Sequence, residues 1–537
     1  MTETPSGFAP VLAIYDFRSK QEYIYRTNRL QEISGASKLI EDIYDRFFVE
    51  LNKGNEQQPS FLGLRDKAGN DILFAYKTFK NNDAILGQAL YSGGGTLMMI
   101  YRSEKVCLEA NQRISRMVLR ETQSLSMIAA HIAFDESEDF RKQRTALYKM
   151  LSKSKSEILP GQPCNVTPFT QISPSGHMPI AYTHCNGIDK ELSRESYLKL
   201  ERFRKEKERE EKDKKEKGEK SEDTSQLDRA VFKKGEDSLL AIVYIDGNNM
   251  GVKLKGILGD DSENQDKLTI DQGVKALRQF SDETAETFVT NPYKAIHCWE
   301  DENKDTWLSG GQYKWTSRKV IGGGDEITFI CTAKLALRLV QIYFDTLKKS
   351  NEGKTDEQEK NYACAGIALF HSHAPFARVY EIAEECCENA KKASRKTGGN
   401  YLDWYFCRSG LTNDMETIRE TEEAGATGLP YEVDDFFTKV NTVVKPVFDK
   451  IGRANVKALT SAILSDSQEF SADSENENKN ADEAHAAFLF EINRLNSYAK
   501  QRLFKDEHNT DAIRKLLFDA GGVCDVWFAE NQTYNAV

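Results

Sequence analysis

Apolar positions run in two rhythms along this chain, and the change falls near residue 430. Before it, short apolar runs closed by Gly, Asp or Asn alternate with stretches of helical spacing. Val11 to Asp16 (VLAIYD) reads as a strand ending in a carboxylate, with helical spacing from about residue 20 to 50. Ser34-Gly35-Ala36-Ser37 inside that helix marks either close helix packing or the approach of a ligand to the backbone. Tyr91 to Ile100 (YSGGGTLMMI) is a glycine turn leading into an apolar strand. Ala241 to Asp246 (AIVYID) is again a strand ending in a carboxylate, and Val320 to Ile330 (VIGGGDEITFI) reads as strand, glycine turn, strand. Beyond residue 430 the spacing is mostly helical, as in Phe436, Phe437, Val440, Val443, Val444, Val447, Phe448 and Ile451, and again in Phe488, Leu489, Ile492 and Leu495. The acidic stretch Ser465 to Glu483 between them predicts a loop.

The first rhythm occurs twice. Thr96 lies 80 positions beyond Asp16, and Asp325 lies 79 beyond Asp246. Ala129 to Phe134 (AAHIAF) answers Ala365 to Phe370 (AGIALF), and each precedes an amphipathic helix. This predicts a duplicated α+β unit in split-βαβ order. The expected partition is a first unit over 1–155, a connector over 156–237, a second unit over 238–410, a linker over 411–429 and a helical domain over 430–537. Within the connector, the Lys/Glu run over 202–225 predicts a solvated helix or linker without chemistry.

Length and charge constrain the picture. A chain of 537 residues holds roughly three or four domains. Its formal charge of −11 excludes a general nucleic-acid coat, though a local basic groove remains open. The sequence carries no membrane-length apolar run and no signal-peptide pattern at its start, and its 10 cysteines are scattered, which predicts reduced thiols and a cytoplasmic protein.

The chemistry concentrates in the second copy. Asp325 and Glu326 follow three glycines, and the split-βαβ order places Asp246 on the neighbouring strand. Such carboxylates suit Mg²⁺ or Mn²⁺ beside a nucleotide triphosphate and an in-line phosphoryl displacement. The other reading of these residues is an acidic hairpin tip that binds nothing. Gly247, Asn248 and Asn249 form a turn between strand and helix whose N–H groups can cradle phosphate, while Gly323 and Gly324 leave room for a ligand. Lys391 at a helix end is a candidate for triphosphate oxygens, or a charge that complements the helix dipole. In the first copy Asp16 persists, but Thr96 and Leu97 stand where Asp325 and Glu326 are expected to align, so that copy is expected to be non-catalytic. In the connector, Cys164, His177, His184 and Cys185 invite a zinc reading, against a loop-rich connector without metal.

These residues resemble a known superfamily. Gly-Gly-Asp-Glu at 323–326 is similar to the signature of GGDEF-type cyclases, and Ala383 to Lys391 (AEECCENAK) to their late helix. The overall plan resembles the large subunit of type III CRISPR effector complexes, in a form without the HD nuclease domain. Its second palm typically reads Asp-Gly-Asp-Asn-Met-Gly and then Gly-Gly-Asp-Asp. Here Asn248 replaces the second acid of the first motif, and Glu326 the last of the second. Tyr23 to Thr27 and Gly35-Ala36-Ser37 also look like that family.

The resemblance implies an α+β fold with two ferredoxin-like palm domains, a loop-rich insert that often bears zinc, and a C-terminal helical bundle. It also implies a catalytic and metal-binding set of Asp246, Asp325 and Glu326. The activity implied is condensation of ATP into a cyclic oligoadenylate or a related AMP conjugate for antiviral defence, switched on by target RNA in a complex with CRISPR RNA and other subunits. Two alternatives stay open: an inactive scaffold subunit of such a complex, and a free-standing nucleotide cyclase.

Overall fold

The computed structural model describes residues 8–27, 29–66, 68–157, 169–174, 178–185, 188–216, 238–259, 266–303, 317–356, 359–407, 414–423, 425–472, 486–495 and 510–527. The chain divides into two compact units. One holds 1–226, 249–289 and 320–325; the other holds 227–248, 290–319 and 326–537. No described helix is long and apolar enough to cross a membrane.

The first unit is built on strands β1 (Val11–Arg18), β2 (Phe61–Leu62), β3 (Gly87–Gly93), β4 (Thr96–Tyr101) and β5 (Ser126–Ala133). Their order is β2-β3-β4-β1-β5, with β1 antiparallel to both neighbours. β1 sits centrally and is buried on both faces over Val11–Phe17, which is why it reads as an unbroken apolar run rather than an alternation. The helical stretch after β1 breaks into α1 (Lys20–Tyr25), α2 (Leu30–Glu41) and α3 (Ile43–Leu51). Then come α4 (Tyr76–Asn81), α5 (Glu104–Thr122), α6 (Phe140–Glu157) and α7 (Arg194–Glu216). The small residues 34–37 serve helix packing: a Cβ on Gly35 would collide with the Lys199 carbonyl on α7. The hairpin β6 (Ile180–Cys185) and β7 (Ile188–Ser193) precedes α7.

The charged run proves helical as far as Glu216, and its start is not solvated. Arg202 and Phe203 are buried, and Arg202 pairs with Asp42. The cause is its place next to Leu200, which packs in a small cluster with Leu192. Residues 217–225 lie outside the described set.

Helices α8 (Met250–Leu258) and α9 (Ile270–Ala285) follow the second Asp-ended strand in sequence, yet they belong to the first compact unit. Arg278 on α9 donates to the carbonyls of Ile72, Ala89 and Leu90 at 2.7–2.8 Å, where β3 slips register against β4. Val274 and Leu277 join the core formed by Leu90, Met98 and Phe140.

The second unit contains β8 (Leu239–Gly247), β10 (Glu326–Thr332), β11 (Ala363–His371), β12 (Tyr401–Cys407) and β13 (Tyr431–Glu432). With β9 (Ser317–Gly323) they order as β13-β12-β11-β8-β10-β9. The shared core of the two sheets is thus identical: β3-β4-β1-β5 matches β9-β10-β8-β11. The register corrects the alignment of the copies by one residue. Tyr15 pairs with Leu97 and Ile245 with Ile327, so Thr96 answers Glu326 and Gly95 answers Asp325. The turn residues are alike in type, and only the ladder reveals which of them begins the strand.

Helices α10 (Asn291–Glu302), α11 (Ala336–Lys349) and α12 (Phe376–Thr397) complete this palm. α12 lies so close to β11 that a Cβ on Gly366 would collide with the Ala383 carbonyl. The C-terminal region is helical as expected, with α13 (Met415–Ile418) followed by α14 (Val433–Lys439), α15 (Lys445–Ile451), α16 (Arg453–Ala472), α17 (Ala486–Arg494), α18 (Thr510–Gly522) and α19 (Cys524–Trp527). It is pinned to the palm by the Trp527 indole, which donates to the Ala333 carbonyl at 3.0 Å. The predicted loop over 465–483 starts too early, because α16 continues to Ala472. Asp466 is spent on the backbone N–H groups of Ala487 and Phe488 at the start of α17, which removes its preference for a turn of its own. Residues 473–483 are outside the described set.

Candidate active site

β8 carries Asp246 at the end of a central strand, between β10 and β11. Glu326 is its direct partner on β10, and Cys364 its direct partner on β11. Side chains directly opposed across an antiparallel ladder share a face, with Cα atoms about 4.5–5.5 Å apart. The two carboxylates are therefore cross-strand neighbours, a destabilising arrangement unless a positive charge stands near. α12 covers this face: Tyr380 meets Tyr244 edge-on at 5.8 Å, and Lys391 further along the helix forms an ion pair with Asp246.

The electrostatics follow from that geometry. Burial works against the Lys391 ammonium, but the Asp246 carboxylate outweighs it and leaves the pKa above the usual lysine value. Burial, then Glu326 and Asp246, push the Tyr244 phenol far up. Burial together with Glu388, Glu381 and Asp246 raises Glu384. The field at the end of β8 is negative, which favours cations there.

Asp325 stands outside the ladder, in the Gly324–Asp325 turn that precedes β10. Gly324 has a positive φ of 62°, so the glycine is needed for the turn. The turn packs in the first unit, where a Cβ built on Gly324 would stand 3.7 Å from the Gly94 amide nitrogen. Gly323 has open space where a Cβ would be. The structure thus brings Asp246, Glu326 and Lys391 together and sets Asp325 in the adjoining turn. Among the described residues no three Cys, His, Asp or Glu side chains are gathered as a metal-holding group. The donor set still fits a hard divalent cation, since Asp246 and Glu326 present carboxylate oxygens from opposed strands.

The remaining candidates are placed as follows. Gly247 ends β8 opposite Ala363. Asn248 is turned inward, donating to Ser394 Oγ at 2.9 Å. Asn249 is left-handed (φ 61°) at the N-cap of α8, with its side chain making no capping bond. Of the zinc candidates, Cys164 and His177 lie outside the described residues, and for His184 and Cys185 only the backbone, in β6, is described.

The first copy keeps half of this arrangement. Asp16 pairs with Lys155 on α6 and with Lys20 at 2.9 Å. Lys20 and the Tyr44 hydroxyl both donate to the Gly95 carbonyl, at 3.0 and 2.6 Å. With Thr96 in place of Glu326, this copy has one carboxylate held by two ammonium groups. The Asp–Lys pair was hidden from single-motif reading. The repeat carried its signal, because Lys155 follows Ala129 by the same 26 positions that separate Lys391 from Ala365.

Comparison with known proteins addresses this palm directly. Residues 239–398 match the family described as Cas10/Cmr2, second palm domain. The chain carries a Cas10-like second palm. Among solved structures, a Csm1–Csm4 cassette in complex with cA4 matches with a TM-score of 0.53 at 14% identity, covering 98% of this chain and 70% of that one. The cassette with pppApApA gives 0.53 at 13% identity over 96% and 70%, and the cassette with one ATP gives 0.51 at 13% over 97% and 71%. At such identities these likenesses establish the fold, from the palms to the C-terminal helices. No curated protein matches the chain.

Proposed function

We propose that the second palm is a metal-dependent nucleotidyltransferase that condenses ATP into a cyclic oligoadenylate or a related AMP conjugate. It works as a cytoplasmic subunit of a type III CRISPR effector complex that holds CRISPR RNA and meets target RNA. The observation that carries this reading is the cross-strand pair Asp246 and Glu326, capped by Lys391 in a Cas10-like palm. The cA4, pppApApA and ATP held by the similar structures support adenine as the base and ATP as the substrate.

Asp246 and Glu326, with Asp325 from the adjoining turn, are the residues that would hold Mg²⁺ or Mn²⁺. A bound divalent ion supplies charge neutralisation at the triphosphate and activation of a ribose hydroxyl. Lys391, paired with Asp246 in the structure, would exchange that carboxylate for a phosphate oxygen, as a point charge on a flexible stem. The bare backbone at Gly323 lets a nucleotide approach without meeting a side chain. Asp16 in the first copy faces Thr96 and two lysines, so that copy is assigned no catalysis.

The test is Asp325→Ala combined with Glu326→Ala in the assembled complex. Loss of adenylate products is expected; unchanged product formation would remove the catalytic assignment.

A further inference from the structure

Beside the Asp246–Lys391 pair lies a second connection between strand and helix. Asn248 is two residues past Asp246. Its backbone N–H donates to the Tyr362 carbonyl at 2.8 Å, extending the β8–β11 ladder. Its Nδ2 donates to Ser394 Oγ at 2.9 Å and lies 3.4 Å from Cys364 Sγ. Ser394 sits three residues after Lys391, so both project from the same side of α12. The Ser394 hydroxyl in turn donates to the Gly399 carbonyl at 2.8 Å. A hydroxyl has one proton, so Ser394 can only accept from residue 248. A donor is required at that position, and an aspartate cannot supply one.

The first copy makes the same connection with different chemistry. Arg18, two residues past Asp16, donates through Nη1 to the Lys155 carbonyl at 2.9 Å. Lys155 is the lysine that pairs with Asp16. In both palms, the aspartate–lysine pair is flanked by a hydrogen bond from the second residue beyond the aspartate to the helix that bears the lysine.

We infer that Asn248 is a positioning residue: through Ser394 it fixes the end of β8 against α12 and thereby holds Lys391 on Asp246, without touching cation or nucleotide. Its consequence for turnover rests on the nucleotidyltransferase reading of this palm. The placement of Lys391 does not.

The experiment uses the full chain without ATP. Lysines are acetylated briefly with an N-hydroxysuccinimide ester, and modification of Lys391 is read by peptide mass spectrometry, with Lys155 as internal reference. Asn248→Ala and Ser394→Ala should each raise Lys391 modification by about five-fold, the population change that one such hydrogen bond supports. The double variant should go no further than either single one, and Ser394→Thr, which keeps the hydroxyl, should restore the original rate. Mn²⁺ affinity, measured by equilibrium titration, should rise equally in the two alanine variants, because a loosened Lys391 competes less with the cation for Asp246. Unchanged Lys391 modification in Ser394→Ala overturns the proposal. So does a loss of Mn²⁺ affinity confined to Asn248→Ala, which would make Asn248 a cation ligand. If Asn248→Ala does not fold, the contrast between Ser394→Ala and Ser394→Thr decides alone. Because the labelling needs no turnover, failure to make product would defeat the catalytic reading and leave this result intact.

Discussion

Removal of the Lys391 ammonium tests the electrostatic core of the site. The side chains of Lys391 and Asp246 are 13% and 21% exposed, so the pair is neither free in solvent nor sealed from it. Breaking a buried pair from one side costs about 3–5 kcal/mol, and an exposed pair at most about 1 kcal/mol. Lys391→Met should fall between, at about 2–3 kcal/mol, since it takes from Asp246 the ammonium that offsets its place beside Glu326. For a unit of this size that lowers the palm transition in scanning calorimetry by about 5–10 °C. Lys391→Met combined with Asp246→Asn removes both charges and should recover most of the loss, a coupling of about 2 kcal/mol. Mn²⁺ should stabilise Lys391→Met more than the parent protein, because a bound cation takes over the role of the ammonium. A Lys391→Met protein melting within about 1 °C of the parent, or a double variant as unstable as the single one, would refute the reasoning.

Other perturbations probe the scaffold and its pH response. Gly366→Ala should destabilise the second palm by about 3 kcal/mol, the upper range for overpacking, because the new methyl collides with the Ala383 backbone; an unchanged urea midpoint would show slack between α12 and β11. Burial holds the Asp519 carboxyl at about 7 against its hydrogen bonds from Tyr431 and Gly428, and burial holds Glu423 at about 8 against Arg419. Both are protonated in the fold and ionised in the unfolded chain above the ordinary carboxylate range, so folding takes up protons. Stability should therefore fall as pH rises from the ordinary carboxylate range through 7 and 8, by at most about 1.4 kcal/mol per pH unit for each group, and level off above. Melting temperature against pH reads this directly, and Asp519→Asn should flatten the curve. Trp527→Phe leaves the Ala333 carbonyl without its indole donor and should cost about 1–3 kcal/mol, seen as faster proteolysis of the C-terminal helices.

Much of the fold was legible because local pattern and tertiary role agree in it. VLAIYD and AIVYID are continuous apolar runs since each becomes a central strand covered on both faces, and the Gly-rich turns announce hairpins whose φ values need glycine. The duplication was visible from spacing, but its alignment slipped by one at Gly95 and Thr96, because only cross-strand register distinguishes a turn residue from a strand start. The carboxylates at 246 and 326 were found as a motif. Their counter-charge is not legible in the sequence, since Lys391 lies 145 residues from Asp246 and its reach depends on how α12 lies on β11. Asn248 shows the same limit: its turn reads as a cradle of backbone N–H groups, and the sequence does not show that the Asn248 N–H goes to the Tyr362 carbonyl and its side-chain amide to Ser394. The assignment of 249–289 to the first compact unit was equally illegible, because chain order carries no trace of Arg278 reaching three carbonyls around β3.

The most direct measurement is mass spectrometry of products after incubating the protein with ATP and Mn²⁺, alone and assembled with partner subunits, CRISPR RNA and target RNA. The account predicts adenylate products from the complete assembly, and none when target RNA is left out. A folded, complete assembly that binds ATP and Mn²⁺ yet leaves ATP unchanged would contradict it.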